Sequence, residues 1–214
     1  MTTVDHRRLH EEENADFSAY LHGLPYPAWE QPSLCEGWRV RDVVGHILYG
    51  NELKLWTLPF HLARHGFSSD RSGAVYSRAR AEGRSPAALV AAFDRRDPWA
   101  GTGRVFPPRL VLLDRLVHHQ DIRRALGHGR TVPEARLVAV LDVTPTLGSV
   151  FRAKRRTRGL RLRATDVEWS WGAGPEVSGP GEAVLMTMLG RPQPLDELDG
   201  DGLPIFKERV CATA

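Results

Sequence analysis

Asp114 and His118 are four residues apart in the stretch Leu110–Gly127, LVLLDRLVHHQDIRRALG. On a helix that spacing stacks both side chains on one face. A carboxylate and an imidazole placed so can grip one metal ion between them. Asp121 follows three residues after His118 and can reach its ring with a supporting hydrogen bond. His46 lies in a second stretch, VRDVVGHIL, whose valines, isoleucine and leucine recur at helical spacing. Three ligands of this kind suit zinc and leave one coordination position open for water or a thiolate. Spacing alone leaves a second reading open: a buried polar cluster, with His46 bonded to Asp114 and His118 at the surface. Asp-x-x-x-His is a less specific signal than His-Glu-x-x-His. His119, about 100° further round the helix, reads as exposed or as backing a ligand.

These residues need helices to hold them. Leu110, Leu113, Val117 and Leu126 give the first stretch its apolar stripe, and Gly127 supplies a left-handed cap. Val40, Val43, Val44, Ile47 and Leu48 predict a helix that continues through Leu53 and Trp56, with a kink or stop at Pro59. Asp42 sits where it can accept at that helix's N-terminus. An earlier helix is predicted from Asp5 to Leu21, with Glu11–Glu13 facing solvent. Residues 65–84 lack periodicity and read as a loop. Ser85-Pro86 reads as a cap followed by a first-turn proline, opening a helix to Arg96. Thr131-Val132-Pro133 opens another, through Val150 and disturbed at Pro145.

Beyond residue 152 the pattern changes. Residues 152–163 hold seven basic side chains and no acid. Leu160 and Leu162 alternate with Arg161 and Arg163 at the period of a half-exposed strand. VEWSW and GLPIFKERV also have strand character, and Glu182–Leu189 reads as a helix closed by Gly190. Trp169 and Trp171 share one strand face and are expected in the core. The basic run reads as a solvated linker or wet strand face, with binding of an anion or nucleic acid as the functional alternative. Gly179-Pro180-Gly181 lacks the ending of a phosphate loop and reads as a turn. The expected division is 1–151 and 152–214.

With 214 residues the chain can bury a substantial core. A net charge of +3 argues against a nucleic-acid partner. The longest apolar run falls short of the ~18 residues of a membrane span. Cys35 and Cys211 are far apart and fit a reducing cytoplasm rather than a disulfide framework. Cys35 reads as a packed thiol, with a nucleophile as the less favoured alternative.

Two motifs together carry a resemblance. Cys35-Glu36-Gly37-Trp38-Arg39-Val40-Arg41-Asp42-Val43-Val44-Gly45-His46 and Leu116-Val117-His118-His119-Gln120-Asp121-Ile122-Arg123-Arg124-Ala125-Leu126-Gly127 resemble the metal-ligand segments of DinB-like bundle proteins. In combination, and with the tail from Gly159 to Pro180, they are similar to the mycothiol-dependent maleylpyruvate isomerase family. The resemblance implies an α+β fold: a DinB-like antiparallel four-helix bundle followed by a small α/β C-terminal domain shaped like sterol-carrier proteins. It implies a divalent metal, usually zinc, on His46, Asp114 and His118, with mycothiol as cofactor. Asp114 stands where the best-known isomerase carries glutamate, one methylene longer, so metal affinity and identity can differ. Asp121 would orient a ligand histidine. Arg123 or Arg124 is the candidate for holding a substrate carboxylate. The implied activity is isomerisation of, or thiol transfer to, a small electrophile by a cytoplasmic monomer or homodimer. A thiol-independent hydrolase or lyase and a non-enzymatic ligand-binding protein are the rival classes.

Overall fold

A computed structural model describes residues 4–66, 69–148 and 151–212. Its contacts divide the chain into two units, His10–Arg130 and a second made of the first nine residues with Thr131–Ala214. This division falls earlier than the expected 151/152 boundary, and the reason is the helix Glu134–Val143. That helix belongs with the later chain: its Asp142 accepts a hydrogen bond from the Trp169 indole at 3.0 Å, and its Leu137 lies against Gly181.

The first unit contains most of α1 (His6–His22), then α2 (Val40–Glu52), α3 (Leu58–Arg64), α4 (Ser69–Ala81), α5 (Pro86–Arg95) and α6 (Pro108–Ala125). Four of these share one apolar core. Phe17 and Leu21 come from α1, Val40, Val43, Val44, Ile47 and Leu48 from α2, Leu89, Val90 and Phe93 from α5, and Ile122 from α6. Trp29 fills the same core from the segment before α2. Burying side chains of this size stabilises by roughly 1.5–3 kcal/mol each.

Local signals explain most boundaries. The Asp42 carboxylate accepts from the Arg39 backbone N–H at 3.0 Å and starts α2. Ser85 Oγ accepts from Ala88 N–H at 3.2 Å and caps α5. Gly127 takes a positive φ of 69°, and His128 N–H closes back on the Arg123 carbonyl at 2.8 Å, ending α6 as the sequence predicts. Two expectations fail. α2 stops at Glu52, and Pro59 opens α3 in its first turn rather than ending a long helix. Within the expected loop 65–84 lies α4. Its buried residues are Ser72, Ser77 and Ala81, too small to write a hydrophobic period.

The small residues of α4 let it approach α2 closely. A Cβ built on Gly45 would stand 2.3 Å from the Ser77 carbonyl oxygen and 3.2 Å from Ala81 Cβ. Only glycine permits this contact.

The second unit holds α7 (Glu134–Val143), α8 (Ala153–Thr157), β1 (Arg161–Ala164), β2 (Ser170–Gly172), β3 (Glu176–Gly179), α9 (Gly181–Met188) and α10 (Leu203–Cys211). The sheet order is β2-β1-β3, with Leu162 opposite Trp171 in the antiparallel pair and opposite Val177 in the parallel one. Leu162 and Ala164 point inward and are buried, as the alternation predicts. α9 packs its apolar run from Ala183 to Met188 into this unit's core. GLPIFKERV is a helix, not a strand. Pro204 sits in its first turn, and the residues it buries, Phe206 and Val210, are one helical turn apart. α7 ends at Val143, with a tight turn over Thr144–Thr146; the expected helical end at Ser149 and Val150 lies outside the described residues. Among the described residues no helix is long and apolar enough to cross a membrane.

Substituting Gly45→Ala forces α2 away from α4 and should destabilise the protein by about 1–3 kcal/mol, read as a lowered thermal midpoint. An unchanged midpoint would contradict the close contact.

Candidate metal centre

α2 carries His46 one residue after the Gly45 contact, and α6 carries Asp114 and His118 on successive turns. The structure brings the three together, with a ligand atom of each within 4.8 Å of the others. Asp114 Oδ1 is 3.9 Å from His46 Nε2 and 3.5 Å from His118 Nε2. The two rings meet edge to face with centroids 5.0 Å apart. Bonds of 2.0–2.2 Å around a tetrahedral zinc would separate ligand atoms by about 3.3 Å, so this donor set fits a divalent ion with only small closure.

Both histidines turn Nε2 toward Asp114 and rest Nδ1 on an oxygen behind. Asp121 Oδ2 accepts from His118 Nδ1 at 3.0 Å, the place its spacing predicts. His46 Nδ1 lies 3.3 Å from Ser77 Oγ. The Ser77 hydroxyl donates to the Gly73 carbonyl at 2.5 Å, so toward His46 it can only accept. His46 therefore keeps its proton on Nδ1 and leaves the Nε2 lone pair free. Ser77 was not legible in the sequence, because it belongs to the helix read as a loop.

Electrostatics sharpen these roles. Burial, reinforced by His118, pushes His46 down to about 4, so it is neutral at pH 7 and ready to ligate. His118 is also penalised by burial, but Asp114 and then Asp121 outweigh that and hold it well above the usual histidine range. Burial opposes charge on Asp114 too. The adjacent His118 and His46 overcome it and keep the carboxyl below its ordinary range. Asp114 retains 44% side-chain exposure whereas Asp121 has none, so the centre opens to solvent on the Asp114 side.

Cys35 is half-buried beside this cluster. Its Sγ donates to Asp121 Oδ2 at 3.1 Å and lies 3.8 Å from His118 Nδ1. Cys35, His118 and Asp121 thus form a second possible ligand group sharing His118. It lies on the inner side of that ring, where Asp121 is already engaged with the Nδ1 proton.

Three expectations are corrected by a buried network elsewhere in the unit. Glu13 does not face solvent, and His119 is not exposed: both are fully buried, with His119 Nδ1 2.8 Å from Glu13 Oε1. Arg130 pairs with the same carboxylate at 2.5 and 2.8 Å, and the His119 ring stacks on Phe17 at 4.3 Å. Arg123, a substrate-carboxylate candidate, instead donates to His119 Nε2 at 2.9 Å and lies over the Tyr20 ring. Arg124 is half-buried, some 15 Å along α6 from Asp114. Neither arginine joins the cluster.

The fold is α+β, with a DinB-like helical unit carrying the His-Asp-His cluster. Residues 10–102 match the family model described as mycothiol maleylpyruvate isomerase N-terminal domain. The segment includes His46 and ends before Asp114 and His118. Two solved structures are similar. One is a histidine-to-alanine mutant of the mycothiol-dependent maleylpyruvate isomerase, at TM-score 0.58 and 16% identity. The other is the mycothiol-dependent maleylpyruvate isomerase, at 0.51 and 18%. Each alignment covers 94% of this chain and 96% of the other, and establishes a shared fold. Comparison with curated proteins gives no significant match.

The buried histidines make stability fall with acid. Burial pushes His119 down to about 4 and His10, also fully buried, down to about 3. Unfolded, each titrates near 6.5. Unfolding therefore takes up protons below that pH. Stability is full above it and falls toward the folded values, by up to about 1.4 kcal/mol per pH unit per histidine. Denaturant unfolding should show a lower midpoint at pH 5 than at pH 7; equal midpoints would contradict the buried neutral rings.

Proposed function

We propose that the chain is a metal-dependent enzyme using a low-molecular-weight thiol, mycothiol, to isomerise a small electrophilic substrate or to transfer the thiol to it. The observation that carries this reading is the convergence of His46 Nε2, His118 Nε2 and Asp114 Oδ1 on one solvent-facing point. The domain match over residues 10–102 supports the thiol and the isomerase chemistry. Zinc is the proposed ion, from the two-imidazole, one-carboxylate donor set.

A bound zinc ion would supply Lewis acidity that lowers the pKa of a thiol presented to it. The chain's own residues prepare that position. His46 offers a neutral ring whose tautomer Ser77 fixes. His118 is steered by Asp121, which holds the Nδ1 hydrogen while Nε2 faces the centre. Asp114 offsets part of the positive charge and faces the solvent side, from which thiol and substrate approach. Three protein ligands leave a position for the thiol sulfur. Arg123 is committed to the Glu13–His119 network, which argues against it as the substrate's anchor. The proposed setting is the cytoplasm.

Conversion of maleylpyruvate with and without mycothiol tests the reading. Activity should require the thiol. It should fall at least about 100-fold in His46→Ala and His118→Ala, with the helical circular dichroism retained. Asp114→Glu, which keeps an oxygen ligand, should lose less than Asp114→Ala. Full turnover without thiol would overturn the mycothiol assignment and favour water activation at the same residues.

A further inference from the structure

The seven basic residues of 152–163 do not behave alike. Arg161 and Arg163 share the Glu176 carboxylate, at 3.6 and 3.0 Å. Arg156 is buried and donates to the carbonyls of Phe151 and Met188 at 2.7 and 3.2 Å. The remaining four, Arg152, Lys154, Arg155 and Arg158, have no acidic partner among the described residues, and all four line one open cavity of about 930 Å³. The cavity is lined wholly by the second unit and shares no residue with the His46–Asp114–His118 cluster.

Trp171 lines the same cavity. The sequence places it with Trp169 in the core, yet only Trp169 is buried there; Trp171 is 39% exposed. Its neighbour in register, Leu162, is buried, while all three residues of β2 are exposed. The result is an exposed indole set beside four cations in one concavity. It matches the needs of a ligand with negative charge and a flat face.

The charge is felt in the surrounding structure. After burial, Arg152, Arg191 and Arg155 are what push the Arg156 guanidinium down, so positive charge gathers here. Arg152 itself adopts a left-handed backbone, φ 55°, unusual for a residue with a long side chain.

We infer that this cavity binds a small anionic molecule bearing a planar ring, with Arg152, Lys154, Arg155 and Arg158 holding the anion and Trp171 stacking on the ring. The volume lies within the roughly 300–1,000 Å³ of small-ligand sites. A concave, four-cation site on a chain of net charge only +3 suits a small ligand better than the extended basic stripe that nucleic acid requires. Phosphate and carboxylate present the same chemistry to arginine, so the ligand's anion is either.

Calorimetric titration of the full chain in about 0.15 M salt decides it, with phenyl phosphate and phthalate as probes. One-to-one binding of either is expected, and the tighter of the two identifies the anion. The double variant Arg155→Gln, Arg158→Gln should weaken the bound probe at least about tenfold. Trp171→Leu should weaken phenyl phosphate about fivefold or more and leave inorganic phosphate within twofold. These side chains are solvent-exposed, and an unchanged thermal midpoint verifies the fold of each variant. No saturation by either probe at 10 mM, or wild-type affinity in the double variant, would overturn the inference. So would a single-stranded oligonucleotide binding more tightly than both probes, with affinity rising with its length.

Discussion

His118 stands between two carboxylates, and the first unit is arranged around that contact. Asp121 has no side-chain exposure, and a buried charge is tolerated only with partners. It takes the His118 Nδ1 proton on one side and the Cys35 thiol on the other. Its backbone carbonyl accepts from Leu34 N–H at 3.0 Å. One turn of α6 thereby ties down the segment leading into α2, and α2 delivers His46 to the same place. The residue that orients a ligand also fixes the path of the chain that brings the next one.

The second constraint is the approach of α4 to α2. Because residue 45 is glycine, the Ser77 backbone comes against α2, and the Ser77 hydroxyl reaches the ring of the next residue. His46 is thus oriented by a helix with little apolar surface of its own. The two histidines reach the same Nε2-forward orientation by different means, a buried carboxylate for one and a serine hydroxyl for the other. The rings also differ in charge state: His46 is held neutral, and His118 is held ready to carry a proton until something displaces it.

What the sequence disclosed follows from where the signal resides. Asp114, His118 and Asp121 lie on one helix, so their mutual placement is a matter of turn geometry and was legible. His46 was legible because a strong valine and leucine period fixed its helix. Ser77 was not, because α4 packs through serine, alanine and the facing glycine, which leave no hydrophobic period. Glu13 looked like part of a solvated acidic run; only the fold brings Arg130 and His119 to it from more than a hundred residues away. Long-range pairing also explains Arg123, whose partner could not be read from α6 alone. GLPIFKERV misled because a short apolar run suits strand or helix alike, and Pro204 with the Phe206–Val210 interval was the discriminating detail. In the basic run, composition was visible but the sorting into paired, buried and unpaired side chains depends on Glu176 and on the cavity.

The account depends on which face of His118 receives an ion, since His118 belongs both to the cluster with His46 and Asp114 and to the one with Cys35 and Asp121. Zinc X-ray absorption on the full chain, loaded with one equivalent of zinc and free of added thiol, separates the two faces directly. Ligation through Nε2 predicts two histidine nitrogens near 2.0–2.1 Å with the remaining ligands oxygen. A sulfur at about 2.3 Å, or a single histidine in the coordination shell, would place the ion against Cys35 and contradict the proposed centre.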